Sequence, residues 1–187
     1  MSNNVNRNIS RRKFIAASTG LFAGSVLLKA IPPYSFSGQE LKDGLSEEEL
    51  KLVEQSSMAK ELEDYFHKGY SCAESLLMVS LRYLKKPEEL VWAAAGYGGG
   101  LGHKDLCGFL TAGVMGIGFA SGSLKKEREE AKDWCSKNVK EYWKWWKENA
   151  PLHCADIRTP GSSSKRCARL GQLGAAKVEE LISSVEA

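Results

Sequence analysis

From residue 45 onward, apolar residues recur every three or four positions, the spacing that lines one face of an α-helix. The stretch "LSEEEL" (45–50) opens the series, with Ser46 as N-cap and Glu49 three residues on. That is a capping box, and Leu45 and Leu50 stand where a hydrophobic staple would pair them. The pattern predicts one helix to about Phe66, turning Leu50, Val53, Met58, Leu62 and Tyr65 to the core, with Gly69 ending it. "SCAESLLMVSLRYL" (71–84) begins with a second box, Ser71 and Glu74. A third helix follows Pro87 in its first turn and dissolves into the glycine run "GYGGGLG" (96–102). Asp105 is expected to cap "LCGFLTAGVMGIGFASG" (106–122), in which Gly108, Ala112, Gly116 and Ala120 fall four apart and make one smooth face. Residues 123–151 read as a long amphipathic helix with a stripe of Ala131, Trp134 or Cys135, Val139, Tyr142 and Trp146, stopped by Pro151. A last helix, about 165–184, carries Leu170, Leu173, Val178, Leu181 and Ile182. No segment alternates as a strand does. The expected fold is all-α, a single compact bundle of five or six helices.

The beginning of the 187-residue chain does not share this pattern. "NISRRKFIAAS" (8–18) resembles the twin-arginine export signal of bacteria, and fifteen uncharged residues follow from Phe14 to Leu28. That run is short and rich in small residues for a membrane span. The small residues of "SFS" (35–37) place cleavage after Ser37, so the expectation is a signal over 1–37 and a helical domain over 38–187. Left uncleaved, the signal would act as a membrane anchor. The resemblance implies passage through the twin-arginine translocase and an exported, periplasmic location. That route carries folded proteins, often with a cofactor already inserted.

Charge then changes meaning. The whole chain has a net charge of +3. Residues 1–37 hold Arg7, Arg11, Arg12, Lys13 and Lys29 and no acid, so the remainder carries 21 basic against 23 acidic residues, a net of −2. No electrostatic footprint for nucleic acid is left. The glycine run fails as a phosphate loop, because no strand precedes it and no Gly-Lys-Ser/Thr follows. Residues 106–122 are too short and glycine-rich for a membrane helix, with charges at both ends. The aromatic cluster over 142–146 has helical spacing and reads as core rather than as a stacking platform.

Five cysteines remain: Cys72, Cys107, Cys135, Cys154 and Cys167. None is spaced Cys-x-x-Cys, which argues against a thioredoxin dithiol, a c-type haem site, a zinc ribbon and a ferredoxin run. Cys72, Cys107 and Cys167 fall at expected helix starts, where free N–H groups and the helix dipole favour a thiolate. Lys165, Arg166 and Arg169 add positive charge near Cys167. Cys154 lies outside that pattern, after a helix stop. Cys135 is mid-helix beside Trp134 and reads as core. His103 and His153 neighbour two of the cysteines and read as solvated loop residues.

These stretches together carry a likeness. "GYSCAESLL", then "GYGGGLG" leading into "LCGFLTAGVMGIG", then "HCADI" and "KRCARL" resemble the redox-active C_GCAxxG_C_C family over roughly residues 60–185. Its four characteristic cysteines map onto Cys72, Cys107, Cys154 and Cys167. In the family motif Cys-Gly-Ala-x-x-Gly, Phe109 here replaces the alanine and Ala112 the last glycine. The resemblance implies redox activity, with those four cysteines holding an iron–sulfur cluster or similar metal centre and passing electrons to a membrane or periplasmic oxidoreductase. Two other chemistries use the same residues: a thiol–disulfide protein in which two cysteines cycle, and a bundle stapled by two disulfides with no cofactor. A mononuclear metal site is a fourth reading.

Overall fold

Helices make up most of the described residues, but several begin and end where the hydrophobic pattern alone would not place them. A computed structural model of the protein describes residues 41–124, 126–162 and 164–185. The expected export signal over 1–37 and its cleavage point lie outside these residues. In chain order the helices are α1 (Glu47–Gln55), α2 (Ser57–His67), α3 (Cys72–Tyr83), α4 (Gly108–Ser121), α5 (Arg128–Asn149), the single turn α6 (Cys154–Ile157) and α7 (Ser164–Ile182). Between α3 and α4 the chain runs through a 3-10 segment, Glu88–Tyr97, and a tight turn, Gly100–Lys104. Among the described residues there is no strand, only one isolated antiparallel bridge between Leu106 and His153.

Both capping boxes form. Ser46 accepts from the Glu49 N–H while Glu49 accepts from the Ser46 N–H, and Ser71 and Glu74 do the same at α3. The helix expected over 46–66, however, is two helices. Ser56 is extended, with φ −99° and ψ 125°, and serves both as the C-cap of α1 and the N-cap of α2. The break is compensated from far along the chain. Glu179 of α7 accepts from Ser56 Oγ (2.6 Å), Met58 N (2.8 Å), Ser57 Oγ (3.1 Å) and Ser57 N (3.3 Å). A carboxylate there meets the free N–H groups and the positive end of α2 together. Because the register changes at the break, Leu50 faces solvent at 45% exposure instead of the core, while Val53, Met58 and Leu62 stay buried.

The bundle centres on α4. Its small face, Gly108, Ala112, Gly116 and Ala120, is buried as expected, and α3, α5 and α7 all pack on this helix. From α5 the stripe delivers Tyr142 and Trp146, both at 0% exposure. Tyr142 donates to the Phe109 carbonyl (3.1 Å) and Trp146 Nε1 donates to the Pro151 carbonyl (2.9 Å), so each buried polar tip has a partner. The aromatic cluster is thus largely core, with Trp143 left at the surface. No described helix is long and apolar enough to cross a membrane.

Candidate functional site

At one end of the bundle regular helix gives way to irregular backbone, and the four cysteines gather there. The chain from Gly99 to Gly102 is left-handed at every residue, with φ of 63°, 65°, 57° and 72°, and Leu101 is not glycine. At Gly100 the fold demands glycine twice over. Its φ is positive, and a Cβ would lie 2.6 Å from Asp105 N and 2.8 Å from the Cys154 Cβ. The turn therefore folds down on Cys154.

Two extended pieces then clasp. Cys107 N donates to the Leu152 carbonyl (2.8 Å) and Cys154 N to the Asp105 carbonyl (2.7 Å), flanking the Leu106–His153 bridge. These bonds fix Cys107 and Cys154 side by side, although 47 positions separate them in the sequence. Asp105 does not cap α4 as expected. The N-cap position belongs to Cys107, while Asp105 spends its carbonyl on the clasp and holds its carboxylate 3.5 Å from His153. His153 is half exposed between Asp105 and Asp156, and His103 is exposed.

Cys72 enters from α3. It meets the first turn of α4 at Gly108, where a Cβ would stand 2.5 Å from the Cys72 sulfur. Only a residue without a side chain lets those helix starts approach so closely. Cys167 comes from the first turns of α7. The outcome is a single cavity of about 220 Å³ lined by Cys72, Cys107, Cys154 and Cys167. Phe66, Phe109 and Ile157 form its apolar wall, and exposed Arg158 stands at its rim. Wider surface clefts of about 340 and 420 Å³ contain no cysteine. Cys135 is on α5, partly buried against the core, and does not line the thiol cavity. All five cysteines are free thiols.

The thiolate expectation is reversed for the cysteines whose titration is perturbed. Burial pushes the Cys107 thiol far up from its ordinary range, and neighbouring Cys72 adds to the shift; the N–H groups of Phe109 and Leu110 oppose it only in part. Burial and Cys72 also raise Cys154, against the pull of Arg158 and Lys104. Cys167 is pushed up to about 11, chiefly by burial, with Arg158 opposing. Desolvating an anion outweighs a few helix-start N–H groups here. Cys154 also sits at a helix start after all, as the first residue of α6.

As donors, four soft sulfurs suit thiophilic metals and clusters. Among the described residues, no three His, Cys, Asp or Glu side chains are drawn together tightly enough to hold a metal ion. The sulfurs surround a space instead of converging on a point.

An all-α bundle with a four-cysteine cavity at one end is the class this architecture defines. The chain belongs to the family described as "Putative redox-active protein (C_GCAxxG_C_C)", whose model matches residues 70–181. The match begins just before Cys72 and includes all four cavity cysteines. No curated protein and no solved structure matches the chain.

Proposed function

We propose that Cys72, Cys107, Cys154 and Cys167 hold an iron–sulfur cluster in this cavity and that the protein is an electron carrier. In this reading it is exported by the twin-arginine translocase, with residues 1–37 as signal and 38–187 as the redox domain. It serves a membrane or periplasmic oxidoreductase. One observation carries the reading: four thiols from four separate segments line the same cavity. Bound there, a cluster supplies one-electron transfer, taking an electron from a reduced donor and giving it to an oxidised acceptor with no bond made or broken.

The chain's own residues have definable tasks. Phe66, Phe109 and Ile157 keep water from the sulfurs, which influences potential through the local dielectric. The N–H groups of Phe109 and Leu110 face the Cys107 sulfur and stabilise negative charge on it. Arg158 and Lys104 offset charge at the mouth. Loading must displace the thiol protons, so it releases acid and strengthens as pH rises.

Two features favour a bound group over the other chemistries. Two disulfides would consume the same sulfurs and leave the apolar-walled space with nothing to hold. Thiols raised by burial are poor attacking thiolates for disulfide exchange near neutral pH. The test is anaerobic purification followed by visible spectroscopy with iron and sulfide analysis. Broad absorption near ~400 nm with iron and sulfide present is expected. Cys107→Ser should lose it and Cys135→Ser should keep it. A colourless sample, still free of iron and sulfide after anaerobic reconstitution, would sink the proposal.

A further inference from the structure

Residue 109, two positions after Cys107, is a phenylalanine in this chain, and the structure provides for it. Phe109 is 1% exposed and forms part of the wall of the thiol cavity beside Phe66, with ring centroids 5.9 Å apart. On its far edge the ring rests against α7. A Cβ at Gly171 would come 2.6 Å from Phe109 Cζ and 2.8 Å from Cε1, closer than carbon atoms approach, and Leu62 Cδ2 would stand 2.9 Å away. The backbone of Phe109 is pinned too, because its carbonyl accepts the Tyr142 hydroxyl (3.1 Å). The ring therefore cannot retreat by moving its main chain.

Gly171 lies four residues after Cys167 on α7, on the same helix face one turn away. The phenyl ring is thus held between the helix start that carries Cys107 and the helix turn that carries Cys167. We propose that Phe109 is the specificity-determining wall of the thiol cavity and that Gly171 is the notch that seats its ring. With the ring in place the cavity is about 220 Å³. Pockets for drug-sized organic ligands run roughly 300–1,000 Å³. The wall therefore admits a compact inorganic group and rejects an organic cofactor of nucleotide or flavin size. Alanine at 109 would merge the volume of the ring with the cavity and remove that discrimination. The proposal rests on the cavity being the redox site and does not depend on what fills it.

Alkylation of the reduced, metal-free, full-length protein tests it, with each cysteine followed by mass spectrometry. Iodoacetamide serves as the compact probe and an aryl maleimide as the bulky one. In Phe109→Ala the maleimide rate at Cys107 and Cys167 should rise at least tenfold more than the iodoacetamide rate. The rate at Cys135, outside the cavity, should stay unchanged and report an intact fold. An equal rise for both probes, or none, overturns the proposal. Gly171→Ala should change the cavity rates when Phe109 is present and leave them nearly unchanged when residue 109 is Ala. The same effect in both backgrounds overturns the notch. Should Phe109→Ala fail to fold, Phe109→Leu decides, with partial loss of size selection expected and wild-type selection refuting the wall. None of these outcomes alters the iron and sulfide analysis, so the two proposals fail separately.

Discussion

Two neighbouring regions of this bundle are built on different rules. Where α4, α5 and α7 cross, Tyr142, Trp146 and Ile117 lie at 0% exposure on uninterrupted helices. Large side chains fill that space, and hydrogen bonds close their polar tips. Around the cysteines the backbone is left-handed, 3-10 or extended, and the critical residues are glycines. One derives its stability from the side chains it contains. The other is shaped by the side chains it leaves out, and that subtraction lets the segments that carry the thiols close on one another.

The largest expected effect falls in the filled region. Trp146→Ala should cost about 3–5 kcal/mol by denaturant unfolding, as expected for truncating a fully buried aromatic. In the fraction that remains folded, the order of thiol reactivities should not change. A selective change at the cavity cysteines would mean that the two regions are coupled through the bond from Trp146 to Pro151. Gly108→Ala tests the other region: forcing a methyl against the Cys72 sulfur should cost about 1–3 kcal/mol. It should also alter Cys72 alkylation more than that of any other cysteine. Unchanged Cys72 reactivity would refute the close approach.

Alkali acts on both regions, since burial also raises Tyr142, and replacing a thiol isolates the cavity's share. Cys107, Cys154 and Cys167 have folded pKa values above their unfolded ones, so the stability they contribute is complete below pH ~9 and is lost as pH rises. The share of Cys167 is spent by about pH 11. Each such thiol contributes at most about 1.4 kcal/mol per pH unit, less for the part-exposed Cys167. Urea titrations of the reduced, metal-free protein should show the decline, and replacing Cys107 by Ser should flatten it. The smallest effect belongs to Tyr142→Phe, which removes the hydrogen bond to the Phe109 carbonyl at a cost of about 1 kcal/mol. If the backbone pin matters to the cavity, the same variant should speed maleimide entry slightly.

The division also explains what could be read from the chain. Helix caps are local, and Ser46–Glu49 and Ser71–Glu74 announce themselves in four residues each. The α5 stripe is periodic, so Tyr142 and Trp146 could be assigned to the core without any tertiary information. The paired serines 56–57 were a legible cap signal too, but the apolar period continued through them and hid the break. Distance is what defeats such reading elsewhere. The clasp between Asp105 and Cys154 depends on hydrogen bonds between segments far apart in the sequence, and no local pattern encodes it. Resemblance, rather than helix position, grouped the four cysteines. The helix-start argument predicted charge on the sulfurs but could not see how deeply Cys107 would be buried.

The grip of Glu179 on Ser56, Ser57 and Met58 has a consequence for biogenesis. A ribosome delivers the N-terminal partners more than 120 residues before the acid that completes them. Until α7 emerges, the second helix has an unfinished start, and the fourth sulfur of the cavity is missing as well. That helix start is therefore completed only after α7 has been made. Nothing can engage all four cavity cysteines before residue 167 has emerged.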